Sequence, residues 1–265
     1  MRPKVLIKGA GEHSSGTAHR LFRCGFPVVM TELEHPRAVR RTVSFCAAVH
    51  HGETEVEGVR AVRYLPEQAE VLADFDGSHI PVFVDPTCVL RGIWCPDVII
   101  DGRILKYNLD NAMSDARLVV GFGPGLEAGR DVHFVVETDR GHDLGRIIAE
   151  GMAAPDTGVP GDISGRSRER VLRAPAAGIL RAEAEIGDLV REGDRLATVD
   201  GVPVVSRLTG VLRGLVYPGS WVVEGQKIGD VDHRGARESC FTLSDKTRTI
   251  SGSALEIVLS FFGSA

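Results

Sequence analysis

The sequence predicts an α/β fold: a doubly wound, mostly parallel sheet over the first half, then a small all-β sandwich. Three observations predict it. Short β-branched runs alternate with helical spacings through the first 155 residues. A Gly-rich turn after the first such run opens a helix. The second half contains an internal repeat at an offset of 32 residues.

Val5-Leu6-Ile7 is the first strand, and residues 17–24 read as a helix with Ala18, Leu21 and Phe22 at helical spacing, stopped by Gly25. Residues 26–32 form the next strand. A strand, turn, helix and strand within about thirty residues imply a parallel pair with a right-handed crossover. Residues 36–45 and 65–74 are expected as helices, each with a proline near its start. Weak strands fall near 47–49 and 59–62. Residues 82–85, 98–101, 118–121 and 132–136 are further β-rich runs, and 144–152 is a last helix. Ligands of such sheets bind beyond the carboxyl ends of the strands.

The first domain is placed at 1–155, a Pro/Gly-rich linker or cleft loop at 156–168, a β domain at 169–235 and a helical segment at 236–265. Residues 178–180 repeat at 210–212, 187–190 at 219–222, 192–194 at 224–226 and 199–200 at 231–232. Each half is a set of short strands broken by Gly-Asp or Glu-Gly turns, so the two halves close into a pseudo-twofold sandwich. The apolar stretch 254–262 packs back onto a domain or forms a subunit contact, consistent with a homo-oligomer.

Composition bounds the function. The chain has 265 residues, 43% hydrophobic and 25% charged, with a net charge of -5. That balance argues against a nucleic-acid partner, which needs a basic footprint. No apolar run approaches the roughly 20 residues that span a bilayer. The first eight residues do not read as a signal peptide, because Lys8 interrupts the apolar stretch. Five cysteines (Cys24, Cys46, Cys88, Cys95 and Cys240) form no CxxC pair, so neither a zinc ribbon nor a disulfide framework is expected, and the location is read as cytoplasmic. No metal site is expected. Of 31 basic residues only five are lysines. Codon bias explains this, or else anion recognition by guanidinium forks.

The candidate ligand-binding residues are Gly9, Gly11, Ser14, Gly16, Glu32, Arg41, Gly123, Arg140 and His142. Gly9-x-Gly11-x-x-Ser14 follows a strand and opens a helix, the setting of a Rossmann-like phosphate turn. Gly9 allows the tight turn, and Gly11 lets the backbone approach a phosphate at the positive helix end. Glu32 ends the second strand, where a carboxylate binds ribose hydroxyls. NAD or NADP is the cofactor so implied, and NAD is preferred because Glu32 repels a 2′-phosphate that Arg41 would otherwise hold. Gly123-Pro124-Gly125 follows another strand. Arg140 and His142 precede a helix start as an anion pocket. Cys88 and Cys95 are close enough in sequence to act together on sulfur or selenium, although a buried free thiol is the ordinary role.

Ala174-Pro175-Ala176-Ala177-Gly178, with Gly187-Asp188-Leu189-Val190-Arg191-Glu192-Gly193-Asp194, resembles the biotinyl/lipoyl-type barrel over about 60 residues. The hairpin that carries the modified lysine in that family reads Asp200-Gly201-Val202-Pro203-Val204 here, so no lipoate or biotin is attached. A docking or dimerising role remains. The fold class is thus Rossmann-like with a lipoyl-like barrel-sandwich and a C-terminal helix.

Gly9-Ala10-Gly11, Gly16, Met30-Thr31-Glu32-Leu33, Ala38-Val39-Arg40-Arg41-Thr42-Val43-Ser44-Phe45, Gly123-Pro124-Gly125, Arg140-Gly141-His142-Asp143-Leu144-Gly145-Arg146 and Arg170-Val171-Leu172-Arg173-Ala174-Pro175 together resemble the YqeB-type family of the selenium-dependent molybdenum hydroxylase system. Glu12-His13-Ser14 departs from the Asp-Leu-Ala expected in its turn. The resemblance implies an accessory or maturation protein for selenium-dependent molybdenum hydroxylases. The molybdenum cofactor would be its transient ligand, and the hydroxylase apoprotein or cofactor-assembly proteins its partners. Two alternatives stand beside it: an NAD(P)-dependent oxidoreductase, for which no Tyr/Lys or His/Asp constellation is visible, and a non-catalytic docking scaffold.

Overall fold

The computed structural model describes residues 2–73, 75–159, 161 and 164–263. The chain divides into two units, each discontinuous in sequence. One comprises Met1–Glu34, Ser44–Thr157 and Leu243–Ala265, the other His35–Val43 and Gly158–Thr242.

The first unit runs β1 (Val5–Lys8), α1 (Glu12–Arg23), β2 (Val28–Glu32), α2 (Ala47–His51), β3 (Glu53–Val56), β4 (Val59–Tyr64), β5 (Ile80–Val84), α3 (Leu90–Trp94), β6 (Val98–Asp101), β7 (Leu118–Phe122), β8 (Glu127–Ala128), β9 (Phe134–Val136), β10 (Ile147–Ile148) and β11 (Gly151–Met152). Nine of these strands form one sheet in the order β10-β9-β7-β6-β1-β2-β5-β4-β3. The seven inner strands are parallel. Both edge strands, β3 and β10, are antiparallel to their neighbours. The four residues of β1 are buried, as are those of β6 and the five of β7. Apolar side chains on both faces suit strands covered on both sides. β8 and β11 pair as a separate antiparallel ribbon.

The second unit runs β12 (Val171–Arg173), β13 (Gly178–Ala182), β14 (Leu189–Val190), β15 (Arg195–Val199), β16 (Val202–Val205), β17 (Gly210–Leu215), β18 (Trp221–Val222) and β19 (Lys227–Asp232). They form two four-stranded antiparallel sheets, β12-β19-β17-β14 and β16-β15-β13-β18. The repeat accounts for the pairing. β13, β14 and β15 recur 32 residues later within β17, β18 and β19. The short strands are exchanged, β14 pairing with β17 and β18 with β13. One core of residues including Leu180, Leu196, Leu212 and Ile228 lies inside this unit.

The expected Rossmann nucleotide-binding domain followed by a lipoyl-like barrel is corrected by this topology. The large sheet is mixed, and several antiparallel sheets accompany it. Its crossovers are not regularly helical. Among the described residues only α1 and α4 (Asp245–Gly263) exceed two turns, α2 and α3 having five residues each. Nor is the β-rich unit a module appended after the first. Val39 lies 2.7 Å from where a Cβ on Gly214 would stand. Arg40 Nη2 donates to the carbonyls of Ser239 and Thr242, and Thr42 Oγ1 to that of Cys240. The C-terminal helix belongs to the first unit, where a Cβ on Gly16 of α1 would collide with Thr247 of α4.

Several local expectations also change. Residues 36–45 are not a helix: the β-branched Val39, Thr42 and Val43 disfavour one, and only the 3-10 turn Arg41–Val43 forms. Residues 47–49, expected as a strand, lie in α2. Residues 65–74 hold the 3-10 segment Pro66–Leu72, with Asp74 outside the described residues. The helix expected at 144–152 is instead β10 and β11, because Gly145 and Gly151 take φ of +84° and +89° and interrupt any helix. No helix among the described residues is long and apolar enough to cross a membrane.

Candidate functional site

The carboxyl ends of the central parallel strands gather the polar residues of the first unit. Lys8 ends β1, and its strand partners are Thr31 of β2 and Asp101 of β6. Lys8 is 1% exposed. Its ammonium donates to the Asp110 carbonyl at 3.1 Å, to Asp110 Oδ1 at 3.2 Å and to Asn111 Oδ1 at 2.9 Å. Beside it, Arg103 grips Asp101 with Nε at 2.9 Å and Nη2 at 2.7 Å. Its Nη2 also donates to Asp110 Oδ1. Asn111 Nδ2 donates to Asp101 Oδ2 at 2.7 Å, closing the ring. Two cations and two carboxylates thus hold one another, as buried charges must.

The electrostatics follow the geometry. Burial works against the charge of Arg103, but Asp101 and Asp110 outweigh it and raise its pKa. Burial likewise opposes the Asp110 carboxylate, and Arg103 and Lys8 overcome it, holding its pKa below the ordinary value.

The Gly-rich turn lies against this network. Gly9 has φ of +84°, a conformation open to glycine, and a Cβ there would stand 3.0 Å from Arg103 Cγ. Gly11 faces open space. Glu32 folds back onto the turn, accepting the Ala10 N–H at 2.8 Å and the Leu33 N–H at 2.7 Å. Burial, only partly offset by these donors and by Arg103, pushes its pKa up. Both of its oxygens are engaged by this chain's own backbone. Ser14, 1% exposed in the first turn of α1, has no hydrogen-bond partner for its hydroxyl among the described residues. That oxygen abuts Gly102, where a Cβ would collide with it. Gly16 serves the contact of α1 with α4.

The remaining expected residues lie elsewhere. A Cβ on Gly123 would stand 3.2 Å from Ile104 Cγ2, and one on Gly125 would collide with backbone of residues 106 and 107. That loop therefore packs on the segment following Arg103. Arg140 forms a bidentate pair with Asp245 of α4, both bonds 2.9 Å, and His142 is exposed. Arg41 belongs to the second unit, where its Nε donates to the Leu215 carbonyl at 3.1 Å and its guanidinium lies 5.6 Å from the Tyr217 ring.

Cys88 is a buried free thiol whose pKa is raised by burial, and Cys95 is an exposed one. Asp85, 2% exposed, accepts the N–H groups of Val89 and Leu90 and so caps α3. Sequence reasoning passed over Lys8, Asp101, Arg103, Asp110 and Asn111. The available signal was a charged residue closing each of two buried strands, Leu-Ile-Lys and Ile-Ile-Asp. Among the described residues no group of three His, Cys, Asp or Glu is placed to hold a metal ion.

No protein-family model matches the chain. Solved structures give distant likenesses, each covering 87% of this chain and 85% of the other. They include an aspartoacylase family protein from Mesorhizobium loti (TM-score 0.28, 12% identity), a succinylglutamate desuccinylase/aspartoacylase from Rhodobacter sphaeroides (0.27, 16%) and the product-bound ectoine utilization protein EutE (DoeB) from Ruegeria pomeroyi (0.27, 12%). At these scores the likeness carries no argument about fold or activity. In sequence, the chain is 45% identical over 255 residues to the uncharacterized protein YqeB of Escherichia coli K12. The match takes in 96% of this chain and 47% of YqeB, so the chain spans about half the length of that relative. This identity supports the YqeB-type resemblance over about half the length of that relative.

Proposed function

We propose that this chain is an accessory or maturation protein of selenium-dependent molybdenum hydroxylases, and that it binds an anionic ligand at the carboxyl edge of its large sheet. The ligand in this reading is the molybdenum cofactor, held transiently, and the partner is the hydroxylase apoprotein. The observation that carries the reading is the Lys8–Asp110–Arg103 arrangement beside the Ser14 hydroxyl, which has no partner among the described residues. Two cations converge on one carboxylate that is 33% exposed, and a guanidinium fork suits an oxyanion in its place. The first turn of α1 adds a partial positive charge nearby. The YqeB-type resemblance supplies the pathway.

Glu32 weighs against an NAD or NADP reading, because a ribose diol would have to displace the Ala10 and Leu33 N–H groups from its oxygens. The test is co-elution. Purified chain is mixed with apo-hydroxylase and cofactor released from a molybdenum hydroxylase, then resolved by size exclusion with molybdenum measured in each fraction. Molybdenum travelling with the wild-type chain and lost with Arg103→Met is the expected result. Molybdenum absent from the chain's fractions contradicts the proposal.

A further inference from the structure

The amino ends of the central strands border a cavity at the opposite end of β1 from Lys8. β1, β6 and β7 start level with one another, Val5 opposite Val98 and Val98 opposite Leu118. The residues just before them, Lys4, Asp97 and Arg117, therefore form a row along the strand starts. The last turns of α4 close the other side. The cavity measures about 750 Å³ and is lined by that row, by Arg2 and Phe26, and by Leu259 and Phe262 of α4. All of these residues belong to the first unit.

Each cation of the lining rests on an aromatic ring. The Arg2 guanidinium lies 4.6 Å from the Phe26 ring, the Lys4 ammonium 5.6 Å from the Trp94 ring and the Arg117 guanidinium 4.8 Å from the Phe262 ring. The ring face attracts the cation and leaves its N–H groups able to donate elsewhere. The carboxylate of the lining, Asp97, accepts the Lys4 backbone N–H at 2.9 Å. Its other oxygen is 3.8 Å from Arg117 Nη1, beyond hydrogen-bond length. Lys4 Nζ donates to the Trp94 carbonyl at 3.2 Å. Arg2 has no carboxylate partner among the described residues. The carboxyl end of α4 brings a partial negative charge to the same rim. Arg2, Lys4 and Arg117 are exposed and need no counter-charge to be stable. What they supply is a rim of donors, fixed by the rings, around apolar walls.

We propose that this cavity binds a small amphipathic anion, a carboxylate joined to an apolar body. The carboxylate would sit among Arg2, Lys4 and Arg117, and the body against Phe26, Leu259 and Phe262. Apolar walls with a few polar groups that fix orientation are the usual make-up of small-molecule sites, and the volume is in their range. The cavity shares no residue with the carboxyl edge of the sheet, so either reading can fail without the other.

The test is isothermal titration calorimetry of the full chain at low ionic strength, where exposed cations are least screened. The probes are 2-naphthoate and decanoate, with acetate (the charge without the body) and 2-naphthylmethanol (the body without the charge) beside them. Saturable one-to-one binding of naphthoate or decanoate is expected, with acetate and naphthylmethanol each about tenfold weaker or more. Binding of naphthoate alone assigns an aromatic body, and of decanoate alone an aliphatic chain. Arg117→Met is expected to bind about two- to fivefold more weakly, the loss of one exposed charge pair. Leu259→Trp fills the cavity from a half-exposed position and is expected to abolish binding. No saturable binding of either acid, naphthylmethanol as tight as naphthoate, or undiminished binding by Leu259→Trp overturns the proposal. If Leu259→Trp does not fold, Arg2→Met at an exposed position takes its place. It is expected to weaken binding as Arg117→Met does, and unchanged affinity in both arginine variants overturns the proposal equally.

Discussion

Lys8 and Asp110 form an ion pair at 3.2 Å across a sequence separation of 102, with the lysine side chain 2% exposed and the aspartate 33%. The buried cation is thus paired with a partner that solvent reaches. Whatever replaces the Asp110 carboxylate meets both Lys8 and Arg103.

Removing the cation should cost stability. Lys8→Met leaves Asp110 with Arg103 alone and deprives Asn111 Oδ1 of its donor, at about 1–3 kcal/mol. For a domain of this size that is a fall of roughly 2–4 °C in Tm per kcal/mol. Thermal unfolding by circular dichroism measures it, and an unchanged Tm would remove the network from the account.

Asp110 should give the protein an acid limb. Its folded pKa lies below the unfolded value of about 3.9, so its contribution is fully present above that pH and is lost as pH falls through the folded pKa. Urea denaturation between pH 6 and 3 should show a shallower loss for Asp110→Asn than for the wild type.

Glu32 should act in the opposite sense. Its folded pKa is raised by burial, so the native state holds its proton longer than the unfolded chain. Stability contributed by the protonated form is present below the unfolded value of about 4.3 and lost as pH rises through the folded pKa. Glu32→Gln removes that term, so its stability relative to the wild type should improve from pH 4 to 7 in the same denaturation series. A constant difference across that range would contradict the assignment.

The contact of α1 with α4 makes a paired prediction. Gly16→Ala puts a methyl group against Thr247 and should destabilise by about 1–3 kcal/mol. Thr247→Ser removes the methyl that obstructs it, so the double variant should recover part of the loss. Equal stability of the single and double variants would show that α4 is not so placed.

The strands were the most legible part of the fold. Ile-Ile-Asp at 99–101 and Val-Val at 119–120 announce themselves by β-branching, and the 32-residue repeat foreshadowed how β13–β15 and β17–β19 correspond. Crossovers were not legible, because Gly145 and Gly151 interrupt a helical-looking pattern with positive φ. Nor was the membership of residues 35–43 in the second unit, which depends on contacts some 200 positions distant, such as Arg40 with Ser239 and Thr242. At the site, Gly9 and Glu32 are neighbours as their spacing suggested, but Glu32 turns inward onto Ala10. Arg103 and Asp110 gave no local signal, since their meaning depends on the buried Lys8 and Asp101.

The most direct measurement of the central claim is equilibrium dialysis of cofactor released from a molybdenum hydroxylase against the purified chain, with retained molybdenum quantified. The wild type should concentrate molybdenum saturably, and Arg103→Met, shown folded by circular dichroism, should hold roughly tenfold less, the loss of one charge-assisted contact. Equal molybdenum on both sides of the membrane, or equal retention by the two proteins, would contradict a ligand site at Lys8 and Arg103.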